Sequence, residues 1–320
     1  MPDLAVGGIH HVTAIAANAQ RNFDFYTGVL GLRLVKQTVN QDDPFTYHLY
    51  YGDSLGRPGT ALTFFPFPGV PEGRTGRGQV YETAVSVPSG SVATWDQRLA
   101  RAGATRLGEE ERFGVRVLRF RDPDGLILAL AGDAAEQSEP GWSGGHIPAD
   151  EAVRAFSHAR LASASPDGTA RVLTDILGYT EVANEAGATR FAVGGADRAV
   201  SVDMLAAAAS ARSGSGTVHH VAFRVPDREA LLAMREQILA AGLYPTPLIE
   251  RFYFRSVYFR EPGGILFEVA TDDPGFTLDE DASSLGQSLK LPGEYEGQRR
   301  AIEAALPPLR GPAAEGAERP

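Results

Sequence analysis

The sequence repeats itself, and this repetition limits the folds open to the chain more than any other feature. Residues 30–35, Leu-Gly-Leu-Arg-Leu-Val, return as residues 177–182, Leu-Gly-Tyr-Thr-Glu-Val. The same offset of 147 positions places His11 on His158. Self-similar segments of this size indicate a chain built from copies of one supersecondary unit.

Two further matches show that the copies number four. Residues 83–88, Thr-Ala-Val-Ser-Val-Pro, match residues 221–226, Val-Ala-Phe-Arg-Val-Pro, and residues 120–128 match residues 259–267. The offset changes from 138 to 139 between these matches, which a one-residue insertion explains. The units are expected at about 8–68, 79–132, 153–206 and 216–271.

The fourth unit shows the order of elements most clearly. Apolar residues alternate over 221–225 as in a half-buried strand, and those between 231 and 238 keep helical spacing. Asp227 is a suitable N-cap and Gly242 a suitable end for this helix. The segment Glu261-Pro262-Gly263-Gly264 predicts the turn of a closing hairpin. We therefore expect βαβββ units and an α+β fold.

We expect the four units to form two domains. Residues 1–137 would hold the first two units and residues 151–272 the last two. The glycine- and proline-containing segment 138–150 would join them, and residues 273–320 would form a tail. Which units pair with one another is left open by the sequence.

Composition narrows the functions to consider. A net charge of −10 argues against nucleic-acid and anionic-membrane partners. The sequence shows neither a signal peptide nor an apolar run of about 18 residues, so we expect a cytoplasmic protein. It contains no cysteine. Any metal would therefore bind imidazole and carboxylate groups.

Two histidine doublets offer such groups. His10-His11 and His219-His220 each open a predicted strand, where neighbouring side chains point to opposite faces. His219 shares its face with the apolar residues of its strand, whereas His220 and, by the same alternation, His11 face the more polar side. Glu268 lies within an apolar strand, where a carboxylate without a partner would be costly. His11, His220 and Glu268 are therefore the predicted metal ligands.

Two imidazoles and one carboxylate with open coordination positions are typical of non-heme Fe(II) enzymes that bind dioxygen and substrate together. Mn(II) would also fit this ligand set. Two other histidines, His48 and His146, are interpreted as structural or surface residues.

An alternative site uses His158 in place of His11, if the two C-terminal units pair with each other. Otherwise Glu82, which stands where the fourth unit has His220, could hydrogen-bond His158 in a couple without metal. The second unit carries Ala129 in the register of the glutamate and has lost its ligand set.

Several segments carry a resemblance to a known family. They are Gly8-Ile9-His10-His11-Val12-Thr13, Phe25-Tyr26 before Leu30-Gly31, Tyr47-His48-Leu49-Tyr50, Asp279-Glu280-Asp281 and Ser284-Leu285-Gly286. With the βαβββ units, they make the chain resemble the vicinal oxygen chelate superfamily of glyoxalases, bleomycin- and fosfomycin-resistance proteins and extradiol dioxygenases. Within it, the chain is most similar to the hydroquinone-cleaving ring dioxygenases. The resemblance implies cup-shaped mixed sheets.

The resemblance also implies a ligand set and catalytic residues. The iron ligands of the family correspond to His11, His220 and Glu268 in this sequence. The family's substrate-facing residues correspond to Tyr258 and Arg251, with Thr13, His10 and His219 nearby. Strand alternation turns His10 and His219 away from the cup, so a β-bulge would be needed to bring them in.

The resulting hypothesis is an Fe(II)-dependent dioxygenase that opens a hydroquinone-type ring with O2, with a small aromatic substrate as its partner. One alternative is a glyoxalase-like isomerase or lyase, which in the family uses a second carboxylate that residues 61–66 do not supply. The other is a metal-free protein that binds small molecules, as drug-resistance proteins do. The ring substituents accepted and the oligomeric state are left open.

Overall fold

Four βαβββ modules follow one another along the chain, at the positions that the repeats predicted. The computed structural model describes residues 4–133, 141–142, 144–193, 200–206 and 209–311. Parts of the predicted linker and tail thus lie outside the described residues. The division into two domains at residues 138–150 stays a prediction.

The first two modules have the following elements. Module one contains β1 (Ile9–Ala16), α1 (Ala19–Phe23) continued by a π-helical turn (Asp24–Val29), β2 (Arg33–Asn40), β3 (Asp43–Gly52) and β4 (Ala61–Pro66). Module two contains β5 (Gln79–Pro88), a 3-10 turn (Ser89–Ser91), α2 (Val92–Arg101), β6 (Thr105–Arg112), β7 (Val115–Arg121) and β8 (Ile127–Asp133).

The last two modules repeat this order, and a tail follows them. Module three contains β9 (Phe156–Ser163), α3 (Pro166–Arg171) continued by a π-helical turn (Val172–Ile176), β10 (Thr180–Glu185), β11 (Ala188–Val193) and β12 (Val200–Ala206). Module four contains β13 (Thr217–Val225), α4 (Arg228–Ala240), β14 (Ile249–Glu250), β15 (Arg255–Arg260) and β16 (Leu266–Thr271). The tail contains 3-10 turns (Phe276–Leu278 and Gly293–Gln298) and α5 (Arg299–Ala305).

The local signals of module four are confirmed. The Asp227 side chain accepts a hydrogen bond from the backbone N–H of Ala230, at 2.9 Å, and so caps α4. The apolar residues with helical spacing, Leu231, Met234 and Ile238, are fully buried. Gly242 has a φ of +78°, which ends the helix in the left-handed conformation that glycine adopts without strain.

The strand order of the two sheets shows which modules pair. One eight-stranded sheet has the order β14-β15-β16-β13-β1-β4-β3-β2, and the other has the order β10-β11-β12-β9-β5-β8-β7-β6. Modules one and four thus share a sheet through the antiparallel pair β1 and β13, and modules two and three share the other through β5 and β9. Both sheets are mixed and curled, which confirms the predicted fold class.

One continuous apolar core joins the four modules. It takes Phe23 from α1, Trp95 from α2, Leu173 from the third module and Met234 from α4, together with residues of the strands beneath them. The helical segments therefore cover the sheets on their packed faces and leave the concave faces free for polar side chains.

The tail is tied to module one by a buried ion pair. Lys36 on β2 is fully buried, and its Nζ donates to Asp279 at 2.7 Å and to Glu280. Further along, the hydroxyl of Tyr295 donates to the carbonyl of Gln41 at 2.6 Å. The tail thus lies along the edge strand of the first sheet.

Among the residues that the structure describes, no helix combines the length and the apolar character needed to cross a membrane.

Candidate metal centre

Three buried side chains meet where β16, β13 and β1 lie side by side. Nε2 of His11 lies 3.2 Å from Nε2 of His220. Oε2 of Glu268 lies 3.2 Å from Nε2 of His11 and 2.9 Å from Nε2 of His220. The pairing of modules one and four creates this cluster, whereas His158, the alternative ligand, lies in the other sheet.

These separations fit one divalent metal ion. Neighbouring ligands of a six-coordinate ion with bonds of about 2.1 Å lie about 3.0 Å apart. Oε1 of Glu268 accepts a hydrogen bond from Ser256, while Oε2 has no well-aligned hydrogen bond among the described residues. A buried carboxylate oxygen in this position needs a cation, because desolvation of an unpaired charge is costly.

Two β-bulges orient the histidine doublets. The β1–β13 ladder skips one residue at His10 and one at His219, and a bulged residue does not keep the alternation of a regular strand. His219 therefore lines the cavity beside the cluster, and His10 contacts His11. Simple alternation is therefore wrong for His219, whereas His10 is not among the described residues that line the cavity.

A chain of hydrogen bonds fixes the tautomer of His11. The carbonyl of Thr271 can only accept, so Nε2 of His10, 3.1 Å away, must donate to it. Nδ1 of neutral His10 then accepts from Nδ1–H of His11, at 2.8 Å. This leaves the lone pair of His11 Nε2 facing the cluster, as a metal ligand requires. His219 makes the equivalent Nδ1 contact with His220, at 2.7 Å.

Burial favours the neutral forms of His10, His219 and His220. Burial, reinforced by His11, lowers the pKa of His10 to about 3. Burial, reinforced by His220, lowers the pKa of His219 to about 3, and burial also lowers the pKa of His220. Burial opposes ionisation of Glu268, but the two ligand histidines outweigh it and hold its pKa well below the ordinary value. The cluster thus offers two imidazoles and one ionised carboxylate.

A cavity of about 430 Å³ opens beside the cluster. His11, His219 and His220 form part of its wall. Its aromatic lining consists of Tyr50, Phe65, Phe67, Phe252, Tyr253, Phe254 and Tyr258. A mostly apolar cavity that also presents polar side chains is typical of a site for a small organic molecule.

Tyr258 and Arg251 both line this cavity, in contact with each other. Nε of Arg251 donates to the hydroxyl of Tyr258 at 3.2 Å, and its guanidinium lies 5.2 Å from the centre of the tyrosine ring. The Tyr258 ring lies 5.6 Å from the ring of His220, and Tyr258 pairs with Glu268 across two strands. Burial, with Glu268, raises the pKa of Tyr258, so its hydroxyl stays protonated.

Thr13 is connected by hydrogen bonds to cavity-lining residues that the sequence did not identify. Its hydroxyl lies 2.7 Å from that of Thr63, which lies 2.9 Å from Nε2 of His48. Nδ1 of His48 lies 2.8 Å from the hydroxyl of Tyr50, and both residues line the cavity. His48 thus lies in the cavity wall, a position that its interpretation as a structural or surface residue did not anticipate. Their i, i+2 spacing in one strand was a signal that they share a face.

In the second sheet, Glu82 and His158 occupy the positions equivalent to His220 and His11 of the first sheet. Glu82 accepts from Arg119 at 2.6 Å and from Arg112. The nearest carboxylate oxygen to His158 belongs to Asp203, at 3.9 Å. The expected hydrogen bond between Glu82 and His158 is therefore absent among the described contacts, because guanidinium groups neutralise the glutamate instead.

Paired βαβββ modules around a cluster of two histidines and one glutamate define the vicinal oxygen chelate class of proteins. The chain belongs to the glyoxalase/bleomycin resistance protein/dioxygenase superfamily, whose family model matches residues 8–130 and 155–269. The family expected from the sequence is thus confirmed. His11, His220 and Glu268 could together hold a metal ion.

Curated relatives cover nearly the whole chain. The chain is 45% identical over 305 residues to MhqO of Bacillus subtilis, named as a ring-cleaving dioxygenase, covering 94% of this chain and 96% of the relative. It is 32% identical over 302 residues to a chlorohydroquinone/hydroquinone 1,2-dioxygenase of Sphingobium indicum, covering 91% of this chain and 93% of the relative.

Solved structures support the same fold. A crystal structure from Bacillus subtilis, titled as that of a dioxygenase, superposes with a TM-score of 0.91 at 44% identity, covering 96% of this chain and 98% of that one. Glyoxalase I from Zea mays superposes with a TM-score of 0.61 at 15% identity, covering 83% and 92%. The second likeness shows the fold alone.

Proposed function

We propose that the protein is an Fe(II)-dependent dioxygenase that opens a hydroquinone-type aromatic ring with O2. The observation that carries this proposal is the cluster of His11, His220 and Glu268 at one end of an aromatic-lined cavity. Three protein ligands leave coordination positions open, which suits an ion that holds substrate and dioxygen together. The names of the relatives support the substrate class.

Iron is favoured over other ions by the chemistry of the proposed reaction. When bound, Fe(II) would supply Lewis acidity toward a phenolic oxygen and the electron transfer that ring opening by dioxygen needs. Mn(II) fits the same ligands.

The chain's own residues would orient the ring and exclude water. The hydroxyl of Tyr258 stays protonated, so it can donate a hydrogen bond to an oxygen of the substrate beside His220. Arg251 donates a hydrogen bond to that hydroxyl. Its guanidinium would also place positive charge near the substrate oxygens on which negative charge develops. His10 and His219 would keep the ligand imidazoles in their tautomers through the Nδ1 contacts.

The glyoxalase-like alternative would need a second carboxylate. Thr63 stands on β4 where Glu268 stands on β16, and the cluster contains one carboxylate among the described residues. This difference favours the site with open positions.

Oxygen uptake tests the proposal. Protein reconstituted anaerobically with Fe(II) should consume O2 when methylhydroquinone is added, and His220→Ala and Glu268→Ala should abolish this consumption. His158→Ala, at the position equivalent to His11 in the other sheet, is the matched control and should retain it. Absence of uptake by iron-loaded wild-type protein would refute the dioxygenase proposal, and metal analysis of each variant would show whether the metal was lost.

A further inference from the structure

The sheet that holds the metal centre has internal two-fold symmetry, and this symmetry identifies a second polar wall. The order β2-β3-β4-β1 on one side mirrors the order β14-β15-β16-β13 on the other. Tyr258 pairs with Glu268 between β15 and β16, and Tyr50 pairs with Thr63 between β3 and β4. Tyr50 is therefore the counterpart of Tyr258 on the opposite wall of the cavity.

The residue two positions earlier follows the same symmetry. Ser256 donates to Glu268 on one wall, and on the other the ring of His48 lies 2.9 Å from the hydroxyl of Thr63. Where module four presents a metal ligand, module one thus presents a chain of neutral hydrogen-bonding groups. This chain runs from Thr63 through His48 to the hydroxyl of Tyr50, at 2.8 Å.

This series of hydrogen-bonded groups can bind a ligand oxygen that either donates or accepts a hydrogen bond. A neutral imidazole has one donor and one acceptor nitrogen, and a hydroxyl can rotate between the two roles. When His48 donates to Tyr50, the tyrosine hydroxyl is free to donate into the cavity. When Tyr50 donates to His48, its oxygen is free to accept. Burial, with Tyr258, raises the pKa of Tyr50, which agrees with a protonated hydroxyl.

The position of Tyr50 suits one end of a para-diphenol. β3 lies two strands from β1, which is about 10 Å across the sheet. A hydroquinone bound to the metal by one hydroxyl carries its other hydroxyl at the far end of the ring, away from the ligands. A catechol would keep both oxygens at the metal and leave the second wall without a polar contact.

We propose that Tyr50, oriented by His48, binds the hydroxyl para to the metal-bound oxygen and so makes the site select hydroquinones. The proposal rests on the proposed function for the identity of the substrate, but it concerns a separate contact. Tyr50 would be a substrate-binding residue, and His48 a positioning residue that acts through it.

Anaerobic calorimetry on the Fe(II)-loaded protein tests this contact without turnover. The two ligands are hydroquinone and phenol, which differ only by the distal hydroxyl. Wild-type protein should bind hydroquinone about tenfold more tightly than phenol, as one well-placed hydrogen bond implies. Tyr50→Phe should remove this preference, and His48→Gln should reduce it. Phenol affinity should change by less than about twofold in either variant, which shows that the site remains folded.

Tyr51→Phe is the matched control. Tyr51 is the next residue of β3, lies in the core on the other face, and its hydroxyl has no partner among the described residues. This variant should keep the preference for hydroquinone.

The outcomes separate this inference from the proposed function. Equal affinity of wild-type protein for the two ligands, or equal losses for both in Tyr50→Phe, would overturn the role of Tyr50 even if the enzyme consumes oxygen. A preference that disappears in Tyr50→Phe would support the role even if oxygen uptake fails.

Discussion

His11 and His220 are 209 positions apart in the chain, yet their Nε2 atoms lie 3.2 Å apart on neighbouring antiparallel strands. The metal centre therefore lies on the seam between the first and the last module. Its geometry depends on the register of β1 against β13, and the bulges at His10 and His219 set that register locally.

Replacing His10 by phenylalanine should weaken metal binding while leaving the three ligands in place. The substitution keeps an aromatic ring beside Phe254 but removes the acceptor that fixes the tautomer of His11. Loss of such a partner costs roughly 10- to 100-fold in metal affinity. The affinity can be measured by competition with a metal-binding dye. His146→Phe, at an exposed position, is the control, and equal affinities in all three proteins would contradict the tautomer argument.

A carboxylate at position 63 should convert the open site into a closed one. Thr63 is the symmetric counterpart of Glu268, so Thr63→Glu places a fourth ligand beside the metal. We expect metal affinity to rise on the order of tenfold, since each added charged ligand tightens binding. Oxygen uptake should fall at least about tenfold, because catalysis needs open positions.

Thr63→Val separates the two effects of that substitution, because it removes the hydroxyl without adding a ligand. It should leave metal affinity within about twofold of wild type. A Thr63→Glu protein with unchanged metal affinity and unchanged oxygen uptake would show that position 63 does not face the metal.

The buried ion pair of Lys36 with the tail should contribute more to the unfolding free energy than a partly exposed ion pair does. Lys36→Met leaves Glu280 buried without its partner, and breaking a buried pair in this way costs about 3–5 kcal/mol. Arg224→Met breaks the partly exposed pair with Asp272 and should cost at most about 1 kcal/mol. Urea unfolding at equal metal loading measures both. Similar losses of unfolding free energy in the two variants would show that burial of Lys36 does not determine how much its ion pair contributes to stability.

His158 should make the protein less stable in acid. Burial lowers its pKa to about 4, although Asp203 opposes the shift. The unfolded chain, whose histidine has a pKa near 6.5, therefore takes up a proton that the native protein refuses as the pH falls from about 6.5 to about 4. The neutral histidine contributes stability above this window, and that contribution is lost as the pH falls through it.

His158→Gln removes this titration. Between pH 7 and pH 5 the variant should lose roughly 2 kcal/mol less unfolding free energy than wild type. His146→Gln, at an exposed position, should follow the wild-type curve. Parallel pH curves for wild type and His158→Gln would mean that the pKa of His158 in the native protein is not lowered from its value in the unfolded chain.

Much of the fold followed from local physical chemistry. Glycines at helix ends and turns, the Asp227 cap and the spacing of apolar residues are properties of short segments, so the elements of module four could be predicted from residues 216–271 alone. The ligand types followed as well, since two histidine doublets and a glutamate within an apolar strand narrow the choice of metal-binding groups.

Bulges and long-range pairings could not be predicted in this way. No glycine or proline marks the bulges at His10 and His219, and simple alternation assigned the wrong face to His219. His48 and Tyr50 could be related to Ser256 and Tyr258 only after the symmetry of the sheet was known.

By itself, the sequence determined the repeating βαβββ unit, the superfamily and the residue types available to a metal. Each of these depends on local side-chain pattern or on short motifs. Only the tertiary structure decided that module one pairs with module four, that His11 rather than His158 joins His220 and Glu268, and that Tyr50 and Tyr258 line the same cavity. The physical reason is that strand pairing is a competition between distant segments with similar local patterns, and its outcome depends on the packing of the whole core.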